Sequence, residues 1–159
     1  MQENDIDHVV RLSEAIHPSL PESRGTQLQR LRLYPQGCYV LVSATEILGY
    51  AFGHPIRENT PPALDTAPPA VPGDANQFYI HDVAVSERLR GGGYASIGIN
   101  TLLTLGEQYA STALVSVYGT AGFWERFQFR KSPLPDPRKL LAYGEDAVFM
   151  VRRLDLLRA

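Results

Sequence analysis

Two polar residues interrupt an otherwise apolar run, Phe78-Tyr79-Ile80-His81-Asp82-Val83-Ala84-Val85. An imidazole accepts a proton near neutral pH, and the adjacent carboxylate is a second candidate base. Burying either without a partner is costly, so each calls for a function or a hydrogen bond to a neighbouring loop. Period-2 alternation along a strand sets His81 and Asp82 on opposite faces, so one at most faces a given ligand unless a bulge intervenes. Shortly after comes Arg90-Gly91-Gly92-Gly93-Tyr94-Ala95-Ser96. Glycines lacking a Cβ let the backbone turn tightly and approach a ligand. Arg90 adds a permanent charge with forked donors.

These groups need elements to hold them. The glycine run joins the strand-like segment 78–85 to a helix-like one, Ile97 to Tyr109. The first amides of a helix lack intrahelical partners and carry the positive end of the dipole, so strand, glycine turn and helix start form an anion site, most often for phosphate. The alternative is a tight turn and nothing more. A Walker loop is excluded, because no Gly-Lys-Ser/Thr follows. A dinucleotide fingerprint can be forced as Gly91-x-Gly93-x-x-Ser96, but the next strand, 113–117, ends in Tyr118-Gly119-Thr120 with no carboxylate for a ribose.

Arg90-x-x-Gly93-x-Ala95 instead resembles the Q/R-x-x-G-x-G/A signature of the GNAT superfamily of N-acetyltransferases. Ile80 to Val85 is similar to that family's fourth strand and Val115-Ser116-Val117 to its fifth. Phe123-Trp124-Glu125-Arg126-Phe127-Gln128-Phe129 is similar to its F-Y-E-K-x-G-F helix end. The resemblance spans about residues 78–130. It implies an α/β fold with a mixed, mostly antiparallel central sheet flanked by helices, and strands 4 and 5 splayed apart. It further implies acetyl-CoA as cosubstrate and direct transfer of acetyl to a primary amine, of a small molecule or of a peptide or protein. The main chain of Val83, Ala84 and Val85 would hold the pantetheine arm, and Arg90 to Ser96 the pyrophosphate. His81 or Asp82 would take the ammonium proton. Many relatives place an acidic tyrosine where Trp124 stands, and an indole N–H cannot protonate a thiolate. Tyr118, at the end of the fifth strand, is the substitute candidate. Gln128 replaces the usual glycine of that turn. A non-catalytic acyl-CoA-binding or regulatory domain is the alternative, and relatives often pair as homodimers.

The chain of 159 residues is expected to be one domain over 1–159, and 44% hydrophobic with 20% charged residues is ordinary for a globular protein. A formal net charge of −2 gives no general attraction to nucleic acid. Cys38 is the only cysteine, so no intrachain disulfide forms; together with a polar N-terminus and no long apolar run, this sets a cytoplasmic, non-membrane expectation. Cys38 reads as a small core residue. No H-E-x-x-H or paired-cysteine spacing suggests a metal.

Along the chain, helical spacing begins at Ile6 with Asp5 as a candidate N-cap and stops before Pro18. Pro21-Glu22-Ser23 opens a second helix reaching Tyr34, and a hairpin of strands 38–44 and 47–54 follows. Residues 55–77 hold half of the 12 prolines and read as a disordered segment or as a lid on the acceptor side. A helix at 121–127 and a closing hairpin, 140–143 with 147–153, complete the order. The resemblance calls for one more strand before the first helix, for which the sequence leaves little room.

Overall fold

The protein, represented by a computed structural model, is described over residues 1–154; the last five residues of the expected 1–159 domain lie outside the described residues. Helix α1 (Ile6–Ile16) buries Ile6 and Val9 and ends at His17, because a residue before proline disfavours the helical region. Asp5 precedes α1, but its carboxylate accepts instead from the Gln2 amide, 2.7 Å away. Helix α2 (Arg24–Leu33) is capped by Ser23, whose hydroxyl accepts from the Thr26 amide. Strands β1 (Cys38–Ser43) and β2 (Glu46–Ile56) form the expected hairpin, and β3 (Gln77–Val85) pairs with β2. Then come α3 (Tyr94–Gly106), β4 (Ser111–Ser116), α4 (Ala121–Glu125), the two-residue β5 (Arg130–Lys131) and β6 (Val148–Arg153).

The six strands form one sheet in the order β1-β2-β3-β4-β6-β5, antiparallel except for β3 and β4. One face packs on α1 and α2 through Ile6, Val9, Leu31, Tyr50 and Phe52. The other packs on α3 through Phe78, Ile80, Ile99, Leu102 and Leu114. The parallel pair is short: Gln77, Phe78 and Tyr79 face Ser111, Thr112 and Ala113, and the pairing goes no further. Beyond Tyr79 the two strands diverge, which is the splay expected of strands 4 and 5.

Three expectations change. Residues 140–143 are not a strand: Pro137–Tyr143 is a 3-10 helix, opened by Pro137 and by Asp136, whose carboxylate accepts from the Arg138 amide. The partner of β6 on that side is β5. Among the described residues no strand precedes α1, so β1 is a sheet edge. The proline-rich segment is shorter than 55–77, because Pro55 and Ile56 extend β2. Pro55 is tolerated there since β1 stops pairing at Phe52, so no ladder bond on that side is lost. Residues 57–76 are docked against the domain. The Asp65 carboxylate accepts from the Ser23 amide (2.7 Å), the Ala67 carbonyl accepts from Gln29 (3.0 Å), and the Pro62 carbonyl accepts from Tyr143 (2.9 Å).

Candidate active site

A register shift falls within β3: Asp82 faces Phe52, but Ile80 faces Gly53, so His81 is the extra residue of a bulge. Phe78 and Ile80 belong to the α3 side of the sheet, whereas Ala84 belongs to the α1–α2 side. The inserted residue resets the alternation. His81 and Asp82 consequently both turn toward α1 and α2, where strict period 2 would have separated them.

Each finds a partner there. His81 Nε2 lies 3.1 and 3.0 Å from the two carboxylate oxygens of Glu22, which arrives from the α1–α2 connection. Arg30 donates to Glu22 with both terminal nitrogens, and the Asp65 amide donates to it as well (3.1 Å). Arg30 is 1% exposed and also donates to the Thr66 carbonyl. Burial alone would raise the Glu22 carboxyl, but His81 and Arg30 outweigh it and hold the group well below the usual carboxylate range. With Nε2–H donated to Glu22, the His81 lone pair resides on Nδ1, which has no hydrogen-bond partner.

Asp82 accepts a 2.6 Å hydrogen bond from the Tyr50 hydroxyl, and its other oxygen lies 3.3 Å from His17 Nε2. The second approach is off the hydrogen-bond direction, so both His17 nitrogens remain unpartnered. Burial opposes the Asp82 charge, yet His17 and Tyr50 hold its pKa below the ordinary value. For His17 burial works downward, and Asp82 more than offsets it, raising the imidazole above 6.5. Burial first, then Asp82, pushes the Tyr50 hydroxyl well up, so it stays a donor. The His17 ring stacks on Tyr118, centroids 5.6 Å apart and planes parallel. Tyr118 sits just past β4 at φ 54°, and its hydroxyl shares a 2.9 Å bond with Ser19.

The wedge between the diverging strands is a cavity of about 150 Å³, walled by His81, Asp82, Val83, Val115, Tyr118 and Trp124. His17, His81 and Asp82 also line a smaller pocket of about 50 Å³ closed by Leu64 and Tyr143. At the other end Phe123 leads into a cleft of about 530 Å³ around Arg90, Gly91, Gly93 to Ser96 and Arg126. The Ser86 amide bonds the Leu48 carbonyl at 2.7 Å. By alternation Ala84 also turns its main chain to β2, leaving the main-chain groups of Val83 and Val85 on the side β4 vacates.

Gly91 and Gly93 have φ of 80° and 79°, the left-handed region that glycine enters without steric cost, while Gly92 does not need it. Gly93 starts α3. The Ile97 amide is the first of that helix to find a main-chain acceptor, the Gly93 carbonyl, and among the described residues the amides of Tyr94, Ala95 and Ser96 have none. The bend thus presents free donors to an anion. Arg90 is exposed and pairs with Glu87 at 3.1 Å. Trp124 packs edge-on against Phe123 and Phe129, as a wall. Cys38 is buried, and desolvation pushes its thiol up to about 12, which closes it to nucleophilic use. Among the described residues no cluster of His, Cys, Asp or Glu is arranged to hold a metal ion, and no helix is long and apolar enough to cross a membrane.

Sequence reading missed Glu22, His17 and Arg126. Glu22 and His17 are separated from β3 by some sixty residues, and nothing local marks them: Pro21-Glu22-Ser23 reads only as a helix start, and Pro18 after His17 only as a helix end. Arg126 was legible within the resemblance, as the cation of the E-R-F stretch.

The six-stranded sheet with its β3–β4 splay and the glycine bend before α3 define a GNAT-type fold. Residues 7–129 match the model of the acetyltransferase (GNAT) family, and the chain belongs to that family. No curated protein matches the sequence. Solved structures agree in fold. The loading GNATL domain of CurA from Lyngbya majuscula superposes with a TM-score of 0.79 at 12% identity, over 98% of this chain and 96% of that one. Ard1 from Thermoplasma volcanium gives 0.71 at 20% identity, over 96% and 93%. Arabidopsis thaliana Naa50, in complex with the bisubstrate analogue CoA-Ac-MVNAL, gives 0.71 at 10% identity, over 97% and 95%.

Proposed function

We propose that this single-domain protein is a cytoplasmic N-acetyltransferase that moves acetyl from acetyl-CoA to a primary amine by direct attack in a ternary complex. The observation that carries this reading is the succession of the unpartnered α3 amides, the β3–β4 wedge and the imidazole that Glu22 holds, around two cavities that share Phe123 as a wall. The free amides and the left-handed Gly91 and Gly93 suit a diphosphate. Arg90 and Arg126 supply charge, and Tyr94, Ala95 and Ser96 the helix-start donors. Acetyl-CoA would bring an acyl carbon already activated as a thioester. The main chain of Val83 and Val85 holds its arm in the manner of an added strand, whereas Ala84, expected to share in this, has its main chain turned to β2.

His81 serves as the base. Glu22 fixes its tautomer, and Nδ1 takes the proton lost by the attacking amine. Asp82, held ionised by His17 and Tyr50, is the poorer base. Tyr118 closes the far end of the wedge. The acceptor is an amine of a small molecule or of a peptide or protein; the small pocket under Leu64 and Tyr143 favours a compact one. The alternative, an acyl-CoA-binding domain without transfer activity, draws on Trp124 standing where relatives carry tyrosine. Mass spectrometry of acetyl-CoA incubated with a panel of primary amines separates the two. Acetylated product supports the enzyme; CoA binding without product on any amine overturns it.

A further inference from the structure

Two carboxylate–imidazole pairs, not one, line the small pocket, Glu22 with His81 and Asp82 with His17, and His17, His81 and Asp82 also wall the wedge. The pairs differ. Glu22 is already saturated by Arg30 and the Asp65 amide, and it meets His81 with both oxygens. Asp82 has one oxygen hydrogen-bonded to Tyr50, and its other oxygen lies 3.3 Å from His17 Nε2 without a formed hydrogen bond. His17 stacks on Tyr118 and lines the same wedge as Trp124, which offers no acidic hydroxyl there.

We propose that His17, held by Asp82 and by its stack on Tyr118, is the group that protonates the departing thiolate. The inference rests on the acyl-CoA reading above. As the acceptor nitrogen bonds to the acyl carbon, the carbon–sulfur bond breaks with its electron pair on sulfur. His17 gives that sulfur a proton, His81 takes one from the acceptor, and both imidazoles re-equilibrate with solvent, so the turnover is balanced. The groups facing His17 are Asp82 and His81 from β3, Glu22 from the segment before α2, Tyr118 after β4 and Tyr143 of the 3-10 helix. The carboxylates favour the protonated ring, and burial opposes it. The protonated ring is fully present at low pH and is lost as pH rises through the His17 pKa, which lies above the ordinary 6.5.

The test is release of CoA thiol from acetyl-CoA, with the best amine or with water as acceptor, in wild type, His17→Gln and His17→Ala. His17→Gln is expected to lose about a hundredfold in kcat, the scale of one acid–base group, with KM for acetyl-CoA within twofold and the alkaline limb gone. Imidazole added to His17→Ala is expected to restore rate, more at low pH. If these variants do not fold, Asp82→Asn is expected to move the alkaline limb to lower pH. Independently of turnover, the His17 imidazole resonance of wild type titrates above its value in Asp82→Asn. Unchanged kcat and alkaline limb in His17→Gln overturn the proposal. So does a loss that imidazole cannot rescue with the limb intact, which marks a structural role. His17-dependent thiol release without acetylated amine sinks amine transfer and leaves His17 standing. No thiol release to any acceptor sinks both.

Discussion

Glu22 meets His81 Nε2 with both carboxylate oxygens, at 3.1 and 3.0 Å, across 59 residues of sequence. The same carboxylate neutralises Arg30, which is buried. Replacing Glu22 by Gln therefore strands a buried guanidinium and frees the imidazole tautomer. The expected outcome is a loss of about 3 kcal/mol in stability, since breaking a buried pair from one side costs that much, and at least a tenfold drop in kcat. Urea denaturation and steady-state rates check it; wild-type values for both would contradict the assignment.

Arg90→Glu places a like charge beside the diphosphate site. CoA affinity is expected to fall at least tenfold, about 1.4 kcal/mol, with the unfolding midpoint of the free protein unchanged because Arg90 is exposed and pairs only at the surface. Calorimetric titration of CoA into both proteins measures this, and equal affinities would detach the bend from the cosubstrate.

His54 gives the pH dependence of stability. It is 2% exposed, and burial first, with His81 adding to it, pushes its pKa down from 6.5 to about 4. A depressed histidine binds its proton more readily in the unfolded chain. Its contribution is complete above 6.5 and is lost as pH falls toward 4, by about 3 kcal/mol at about 1.4 kcal/mol per pH unit. Denaturation at pH 7 and pH 4.5 is expected to show most of that slope in wild type and little of it in His54→Gln.

Deleting residues 58–75 removes the Asp65 amide from Glu22, the Thr66 carbonyl from Arg30 and the Pro62 carbonyl from Tyr143. The partly buried groups left unmet, the Glu22 acceptor and the Arg30 and Tyr143 donors, cost about 1–3 kcal/mol each. The expected result is a fall of at least about 5 °C in Tm together with reduced turnover. An unchanged Tm would make the segment a dispensable flap.

Gln128 occupies the glycine slot of the turn after α4 at φ 69°, a left-handed conformation that costs a side chain about 1–2 kcal/mol. Gln128→Gly is expected to recover part of this, offset by glycine's greater entropy when unfolded, and to raise Tm by about 2 °C. A lower Tm would show that the side chain stabilises the turn by more than its backbone strain.

The bend from Arg90 to Ser96 and the polar pair in β3 were legible because local chemistry marks them: glycines before a helix, and charges in an apolar strand. A bulge was allowed for, but its position at His81 was not legible, since it arises from the register with β2 and from space at Gly53, where a Cβ would come 2.8 Å from the Phe78 ring. Nor were Glu22 and His17, whose roles exist only once the α1–α2 connection folds over β3. Residues 140–143 read as a strand from their apolar run, but Pro137 and capping by Asp136 turn that run into a 3-10 helix. Two residues suffice for β5, too few for any periodicity to appear.

The most direct measurement is a crystal structure of the wild-type protein grown with CoA. The diphosphate is expected within hydrogen-bonding distance of the amides between Gly91 and Ser96, with the thiol arm lying in the wedge between Val83 and Val115. CoA bound elsewhere, or β3 and β4 paired along their full length, would contradict it.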